Sequence, residues 1–518
     1  MKFNSLFRKT FVLILLNFIQ SYAQAPAIEW QKTLGGTSTD HPYCIRATPD
    51  GGYITVGTTA SNNGDVTTNH GFFDLWIVKL TSEGNIVWQK TYGGDDDERA
   101  NSIECTTDGG YIVAGYTDSH NGDITLSYGV HDFWILKLDS FGNIEWEKTE
   151  GGTYYEQASS VKETPDGGFI VAGYTESDTG NFSGNHGDSD FLVVKLSPSG
   201  NVEWRKMYGG SLWERANDIQ CTNDGGYIVT GYAESLDGDV VITNGNDDFW
   251  VVKLNVLGAI QWEKSYGGSE LEIAHNIQLT NDGGYIVGGV STSNNGDVAE
   301  NFGGYDYWIL KLDAFGAIEW KKVLGGVGDD FFTSLKTTND NGCIVSGYTI
   351  NSNIEGNYGP NQRDWWIVRL SSTGTLIWQK VIGGSNDDRM EDVDLTNDGG
   401  YIMTGYTEST DGDVTGFQGF SDYWVVKLAP ENLANDIFTQ NSNISLFPNP
   451  TKEKITIKIS SFKPSQEISI YDISGKTIYF QKLEGLKTTI NTSYFQKGVY
   501  FLNLLDGSKT TTEKFIVE

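Results

Sequence analysis

"DGGYIVAGYT", residues 108–117, opens on a turn and runs on as a strand. Asp-Gly-Gly is turn chemistry, with glycine supplying φ > 0, and the apolar run after it suits a strand covered on both faces. Close copies return every 58 residues, with the Asp at Asp50, Asp108, Asp166, Asp224, Asp282, Asp340 and Asp398. The Asp that opens "DFWILKL" keeps the same step from Asp74 to Asp422, and the Trp of "GNIEWEKT" keeps it from Trp30 to Trp378. A period this regular marks a repeat architecture in which each unit is one supersecondary element.

One unit reads as four strands: a ("ANSIECTT"), b ("GGYIVAGYT"), c ("DFWILKLD") and d ("GNIEWEKT"). Tight turns join a to b and c to d. A four-stranded antiparallel unit cannot bury both of its faces alone, whereas units stacked radially can, which predicts a β-propeller. The ends support closure. The mature chain is expected to begin on a lone strand d, "AIEWQKTLGG" (27–36), and the last repeat stops after strand c, "DYWVVKLAP" (422–430). The first strand is therefore expected to complete the last blade of a seven-bladed ring and remove its free edges. A β-solenoid is the rival, but it does not need complementary ends.

The bulk numbers agree. The 518 residues include 63 Gly, 10 Pro and 13% aromatics, the make-up of many short strands and turns. "MKFNSLFRKTFVLILLNFIQSYAQA" reads as a secretory signal over residues 1–23, with Lys2, Arg8 and Lys9 ahead of an apolar run too short to span a bilayer. No transmembrane segment is expected in the mature chain. The net charge of −32 is uneven: the signal and residues 444–518 each carry +3, leaving −38 between them. So acidic a surface excludes nucleic acid as a partner and suits cations or neutral ligands. Cys105 and Cys221 occupy one position in repeats two units apart, and Cys44 and Cys343 lie in different elements. Four unpaired thiols are expected.

Recurrence at a fixed phase is the signature of packing, so the strand c and strand d tryptophans are expected in the core, where losing one costs about 3–5 kcal/mol. Basic residues recur likewise in strands c (Lys79 to Lys427) and d (Lys32 to Lys380), and are expected to pair with framework acids. An acid also recurs in every d–a loop: Asp40, Glu98, Glu156, Glu214, Glu272, Asp330 and Asp388. These carboxylates are expected to accept loop N–H groups, a ring of cation ligands being the alternative. The b–c loops carry "DGDV"-type runs, in which Asp237, Asp239 and Asp248, and Asp411, Asp413 and Asp422, are the candidate calcium ligands. No other cofactor is implied.

No nucleophile elbow, P-loop, dinucleotide fingerprint or metal-spaced His set is present, so no catalytic residue is assigned. The departures from the repeat are more informative. The loops "GGTYYEQ" and "GGSLWER" flank one blade and add Tyr154, Tyr155 and Trp213, an aromatic set suited to stacking on sugar rings. Phe331 and Phe332 lie elsewhere on the rim. Packing between blades is the alternative for all of them.

After a polar linker (431–443) the composition turns to Lys, Ile and Thr, and "KITIKIS" (454–460) and "ISIYDISGK" (468–476) alternate as in a small antiparallel sandwich. With "FPNP" (447–450), "FQKGVYFLNL" (495–504) and the closing "KFIVE" (514–518), residues 444–518 resemble the type A C-terminal sorting domain of the type IX secretion system. That resemblance implies passage through the periplasm of a Gram-negative bacterium and export across the outer membrane by the type IX machinery. Removal of the tail would then leave the cargo released or surface-attached. The expected function is a secreted or cell-surface binding or adhesion module, monomeric, with glycan or protein as ligand. A polysaccharide-degrading lyase or hydrolase is the alternative, favoured if His, Arg, Tyr and carboxylate converge, with Arg99, Arg215 and Arg389 near enough to take part. A structural spacer in a surface layer is the third reading.

Overall fold

The computed structural model describes residues 23–182, 184–241, 244–350, 354, 356–357, 362–431, 444–459, 462–472, 476–506 and 509–517. The expected signal, apart from Ala23, and residues 432–443 of the expected linker lie outside the described residues. The chain divides into two compact units, Met1–Glu431 and Asn432–Glu518.

The first unit contains seven four-stranded antiparallel sheets. Blade 1 runs Asp40–Ala47, Tyr53–Thr59, Asp74–Leu80 and Ile86–Tyr92 as strands a to d, and blades 2 to 6 repeat it. Blade 7 takes strands a to c from Asp388–Leu395, Tyr401–Thr407 and Asp422–Leu428, and its strand d from Ile28–Leu34. Trp30 faces Lys427 and Leu34 faces Tyr423 across that last pairing. Successive strands a touch one another all the way round, the seventh meeting the first, so the array is a closed propeller with strands a innermost. The expected clasp is present, and the open solenoid is excluded.

The repeated residues hold this frame together. In every blade the Asp of the a–b turn pairs with the basic residue of strand c at 2.8–3.1 Å, from Lys79–Asp50 to Lys427–Asp398, with Arg369 on Asp340 in blade 6. Each cation is buried while its carboxylate stays near water. The opening motif is thus a turn whose Asp covers a buried ammonium. The strand d lysines share no such partner: Lys90 donates to Asn143, whereas Lys148 pairs with Glu150. Strand c tryptophans such as Trp76, Trp134 and Trp250 are buried between blades.

Every strand a carries a bulge after its third residue, opposite the Gly of "GYT". A Cβ on Gly115 would lie 1.8 Å from the Arg99 carbonyl, so only glycine lets the bulged strand come this close. Cys44 and Cys343 are free and buried, and Cys105 and Cys221 are free and partly covered.

Glu431, the first residue of the expected linker, is tied to the propeller. Glu431 accepts from Trp378 Nε1 (2.9 Å), Arg369 Nε (3.1 Å) and Tyr401 OH (2.5 Å). It fills the place that a c–d turn takes in the other blades, because blade 7 has no such turn.

The second unit pairs a three-stranded sheet (Ile444–Phe447, Lys454–Ile459, Lys487–Asn491) with a four-stranded one (Thr477–Lys482, Glu467–Asp472, Gly498–Asp506, Lys509–Val517). Ile455, Ile457, Ile468, Ile470, Leu502 and Phe515 form its core, as the alternating pattern predicts. No helix among the described residues is long and apolar enough to cross a membrane.

Candidate functional site at the channel mouth

The framework columns repeat, so a specific site must come from columns that do not. Two such columns lie on strand a, on the wall of the central channel. The first reads His41, Arg99, Gln157, Arg215, Ile273, Phe331 and Arg389, and the second Tyr43, Asn101, Ser159, Asn217, His275, Thr333 and Glu391. The neighbouring position in strand b is Tyr in five blades (Tyr116, Tyr174, Tyr232, Tyr348, Tyr406), Thr58 in blade 1 and Val290 in blade 5.

Where strand b has Tyr, the ring fills the seam above the next strand a. Tyr406 stacks on His41 with centroids 4.0 Å apart, and Tyr174 lies under the Arg215 guanidinium at 4.1 Å. In blade 1 the ring is absent. Thr58 instead donates to the Glu98 carbonyl at 2.9 Å. A cavity of about 250 Å³ opens there, lined by Thr58, His41, Tyr43, Arg99, Asp97 and Tyr116 among others. Its existence follows from one missing aromatic ring.

The groups around it are chemically distinct. The Arg99 guanidinium lies 3.6 Å over the Tyr43 ring, and its Nε donates to Asn101. Burial, reinforced by the positive Arg99 and Arg389, pushes His41 down to about 4, so its imidazole is neutral at pH 7. Its Nε2 lies 2.9 Å from Ser421 Oγ. Burial holds Glu391 up at about 7 against the pull of Arg99 and Arg389, and pushes Tyr43 up to about 12. Arg389 lies between the Tyr348 and Tyr406 rings and 3.5 Å from Asp387. His, Tyr, Arg and carboxylate therefore converge over blades 7, 1 and 2.

Deeper in the channel the next column forms an ion network. Arg46 bridges Glu104 (3.0 Å) and Asp392 (2.6 Å), Lys162 also pairs with Glu104, and Lys336 approaches Asp394 at 3.7 Å. Burial raises the Glu104 carboxyl, but Arg46 and Lys162 outweigh it and bring it down to about 2. Sequence reasoning named Arg99, Arg215 and Arg389 but missed Tyr43, Thr58, Glu391 and this network. The available signal was the failure of strand a, and of Thr58, to follow the repeat.

Of the expected aromatics, Tyr155 is joined to the mouth. Its ring lies 4.7 Å from His131, which stacks on Tyr116 at 4.5 Å. Tyr154 is 55% exposed beside it. Trp213 sits one seam further on, 4.9 Å from the Arg215 guanidinium, and no ring contact among the described residues joins it to Tyr154 or Tyr155. Phe331 stacks between Tyr305 and Tyr348, while Phe332 folds into the core.

The acids of the d–a loops are structural. Each accepts the N–H of the second glycine in its Gly-Gly pair, from Asp40 with Gly36 (2.8 Å) to Asp388 with Gly384 (2.7 Å). The first glycine of the pair is forced as well: a Cβ on Gly151 would stand 1.7 Å from Asp132 Oδ1.

The candidate calcium residues do not assemble as grouped. Asp237 accepts from Ser211 N, and Asp239 from Gly209 N, both beside Glu214. Asp248 accepts from Asn244 N and lies in the next seam, near Glu272 and Asp297. Asp411 accepts from Ser385 N and Asp413 from Gly383 N, whereas Asp422 lies on the other side of blade 7, near Asp40 and Asp65. Among the described residues no three His, Cys, Asp or Glu side chains form a metal-binding group.

Comparison with known proteins separates the two units. The chain is similar to the regulatory protein FlaEY of Caulobacter vibrioides, 22% identical over 411 residues, which covers 69% of this chain and 41% of that protein. A shorter stretch of 87 residues is 34% identical to a funoran endo-beta-hydrolase of Wenyingzhuangia aestuarii, covering 16% of this chain and 12% of that one. The chain thus spans well under half the length of either. Among solved structures, PorZ, a surface component of the type IX secretion system of Porphyromonas gingivalis, superposes with a TM-score of 0.39 at 11% identity. That match covers 94% of this chain and 60% of PorZ. Residues 445–518 match the secretion system C-terminal sorting domain. That stretch is the sorting domain of the type IX secretion system, and the chain is an all-β propeller protein secreted or surface-attached by that route.

Proposed function

We propose that the propeller binds an extracellular polysaccharide at the channel mouth over blades 7, 1 and 2. The observation that carries this reading is the cavity at Thr58, where a neutral His, a Tyr-stacked Arg and a carboxylate share open volume. Aromatic faces beside planar guanidinium and hydroxyl groups suit sugar rings, whose CH faces stack and whose hydroxyls need polar partners. Tyr155 extends the surface through His131, and Trp213 with Arg215 supplies a further platform along the rim. Export through the sorting tail supports an extracellular ligand.

Restoring the repeat tests it. Thr58→Tyr supplies the ring that five other blades carry and closes the cavity without disturbing the frame. On a polysaccharide array the full chain should bind, and Thr58→Tyr and Arg99→Ala should each weaken binding at least about tenfold, the former with unchanged melting. Equal binding by Thr58→Tyr refutes the assignment.

A second reading, a polysaccharide-cleaving enzyme, is favoured by Glu391, whose pKa near 7 beside Tyr43 and Arg99 suits general acid–base work. New reducing ends or unsaturated products from a bound polysaccharide, lost in Glu391→Gln, would establish it over simple binding.

A further inference from the structure

The opposite rim, which carries the tight turns, holds a second pattern. Six of the seven strand d tryptophans reach across the seam to the c–d turn of the next blade, Trp378 meeting Glu431 instead. Trp30, Trp146 and Trp320 donate their indole N–H to a carbonyl of that turn: Ser82 O (3.0 Å), Pro198 O (3.3 Å) and Ser372 O (2.9 Å). The tips of those three turns are polar, Glu83, Ser199 and Thr373.

The other three turns differ in three correlated ways. Strand d ends in Tyr there, and Tyr92, Tyr208 and Tyr266 donate to Gly142 O, Gly258 O and Gly316 O, each at 2.5 Å. The turn is thus held without the indole, and the N–H groups of Trp88, Trp204 and Trp262 have no acceptor among the described residues and are not shut away from solvent. The turn tips are apolar and bare: Phe141, Leu257 and Phe315 are 72%, 68% and 77% exposed. A frame that needed only packing would have no reason to free the donor where it exposes the apolar tip.

The cleft between blades 4 and 5 shows what such a seam can hold. It has a volume of about 530 Å³, with Trp262, Tyr285 and Phe315 as its aromatic walls and Asp224 and Gln261 at its edge. Its cation is already taken: Lys253 donates to Asp224 (2.9 Å) and Gln261 (3.1 Å). Among the residues that line the cleft an anionic ligand would meet the carboxylate and no unpaired cation, with Lys264 set beside Gly316 of the same turn. A neutral sugar ring would find an apolar platform, an indole N–H donor and carboxylate and amide partners for its hydroxyls.

We propose that the seams between blades 1 and 2, 3 and 4, and 4 and 5 on the tight-turn rim are three binding sites for neutral pyranose units, separate from the channel mouth. The full chain, titrated with laminari-, cello-, xylo-, manno- and chitohexaose and followed by tryptophan fluorescence and calorimetry, should bind at least one of them at up to three sites. An alginate hexamer should not bind there. The triple variant Phe141→Ser, Leu257→Ser, Phe315→Ser copies the polar tips on solvent-exposed positions and should lose at least about tenfold in affinity at unchanged melting temperature. Thr58→Tyr should leave this binding intact, which separates it from the mouth. Wild-type affinity in the triple variant, equal binding of alginate, or no response to any neutral hexamer up to about 10 mM would overturn the proposal.

Discussion

The recurring Asp and its strand c cation make an asymmetric prediction. In blade 1 the Lys79 side chain is 6% exposed and Asp50 is 64% exposed, with 3.0 Å between Nζ and Oδ2. Lys79 otherwise donates to Thr48 Oγ1 and the Leu80 carbonyl, both uncharged. Asp50→Asn keeps an acceptor for Gly52 N and removes the charge, leaving a buried ammonium with neutral partners only. Removing one partner of a buried pair costs about 3–5 kcal/mol, and the remaining acceptors should hold this case to about 3. Lys79→Met leaves a carboxylate that water already solvates, so the loss should stay near about 1 kcal/mol. For roughly 400 residues unfolding with about 2.1 cal/mol/K each, those figures correspond to falls in Tm of about 3.5 °C and about 1 °C. Differential scanning calorimetry on both variants resolves them. If Lys79→Met is the more damaging substitution, the account of the motif as a cover for a buried cation is wrong.

Other outcomes follow from the same geometry. Burial pushes Asp248 and Asp422 up to about 7 and Asp306 and Asp388 to about 6. A raised carboxyl stabilises the fold in its protonated form, and that contribution is full below about pH 4 and is lost progressively as pH rises from there to about 6–7. For Asp50 and Asp398, burial is outweighed by Thr, Lys and backbone donors, leaving them at about 2, so their contribution is lost as pH falls from about 4 towards 2. Melting scans should therefore peak near about pH 4, fall between about pH 4 and 7, and be lower at pH 8. Glu431→Ala should cost about 2–3 kcal/mol in denaturant unfolding by orphaning the donors of Trp378 and Tyr401, and truncation after Ala429 should do the same. Burial pushes the thiols of Cys44 and Cys343 up to about 12, so a disulfide reagent at pH 8 should leave both unlabelled until the protein is unfolded.

Much of this protein was readable from its residues. A 58-residue period, strands that are apolar on both faces and ends that are complementary fragments of one unit leave a ring as the packing solution. The same regularity points the d–a acids to loop N–H groups, which they accept in all seven units. The tail was legible because its motifs are local.

The sites were not legible, because they depend on which blades become neighbours. Glu391 and Arg99 are far apart in sequence and share one mouth because the ring closes. Asp248 parts from Asp237 and Asp239 because strand c faces the following seam, whereas its own b–c loop faces the preceding one. Thr58 matters only as the absence of a ring whose place is defined by Tyr406 over His41. A periodic sequence specifies the repeated contacts many times over. It states each unique contact once, between residues that only the closed circle brings together.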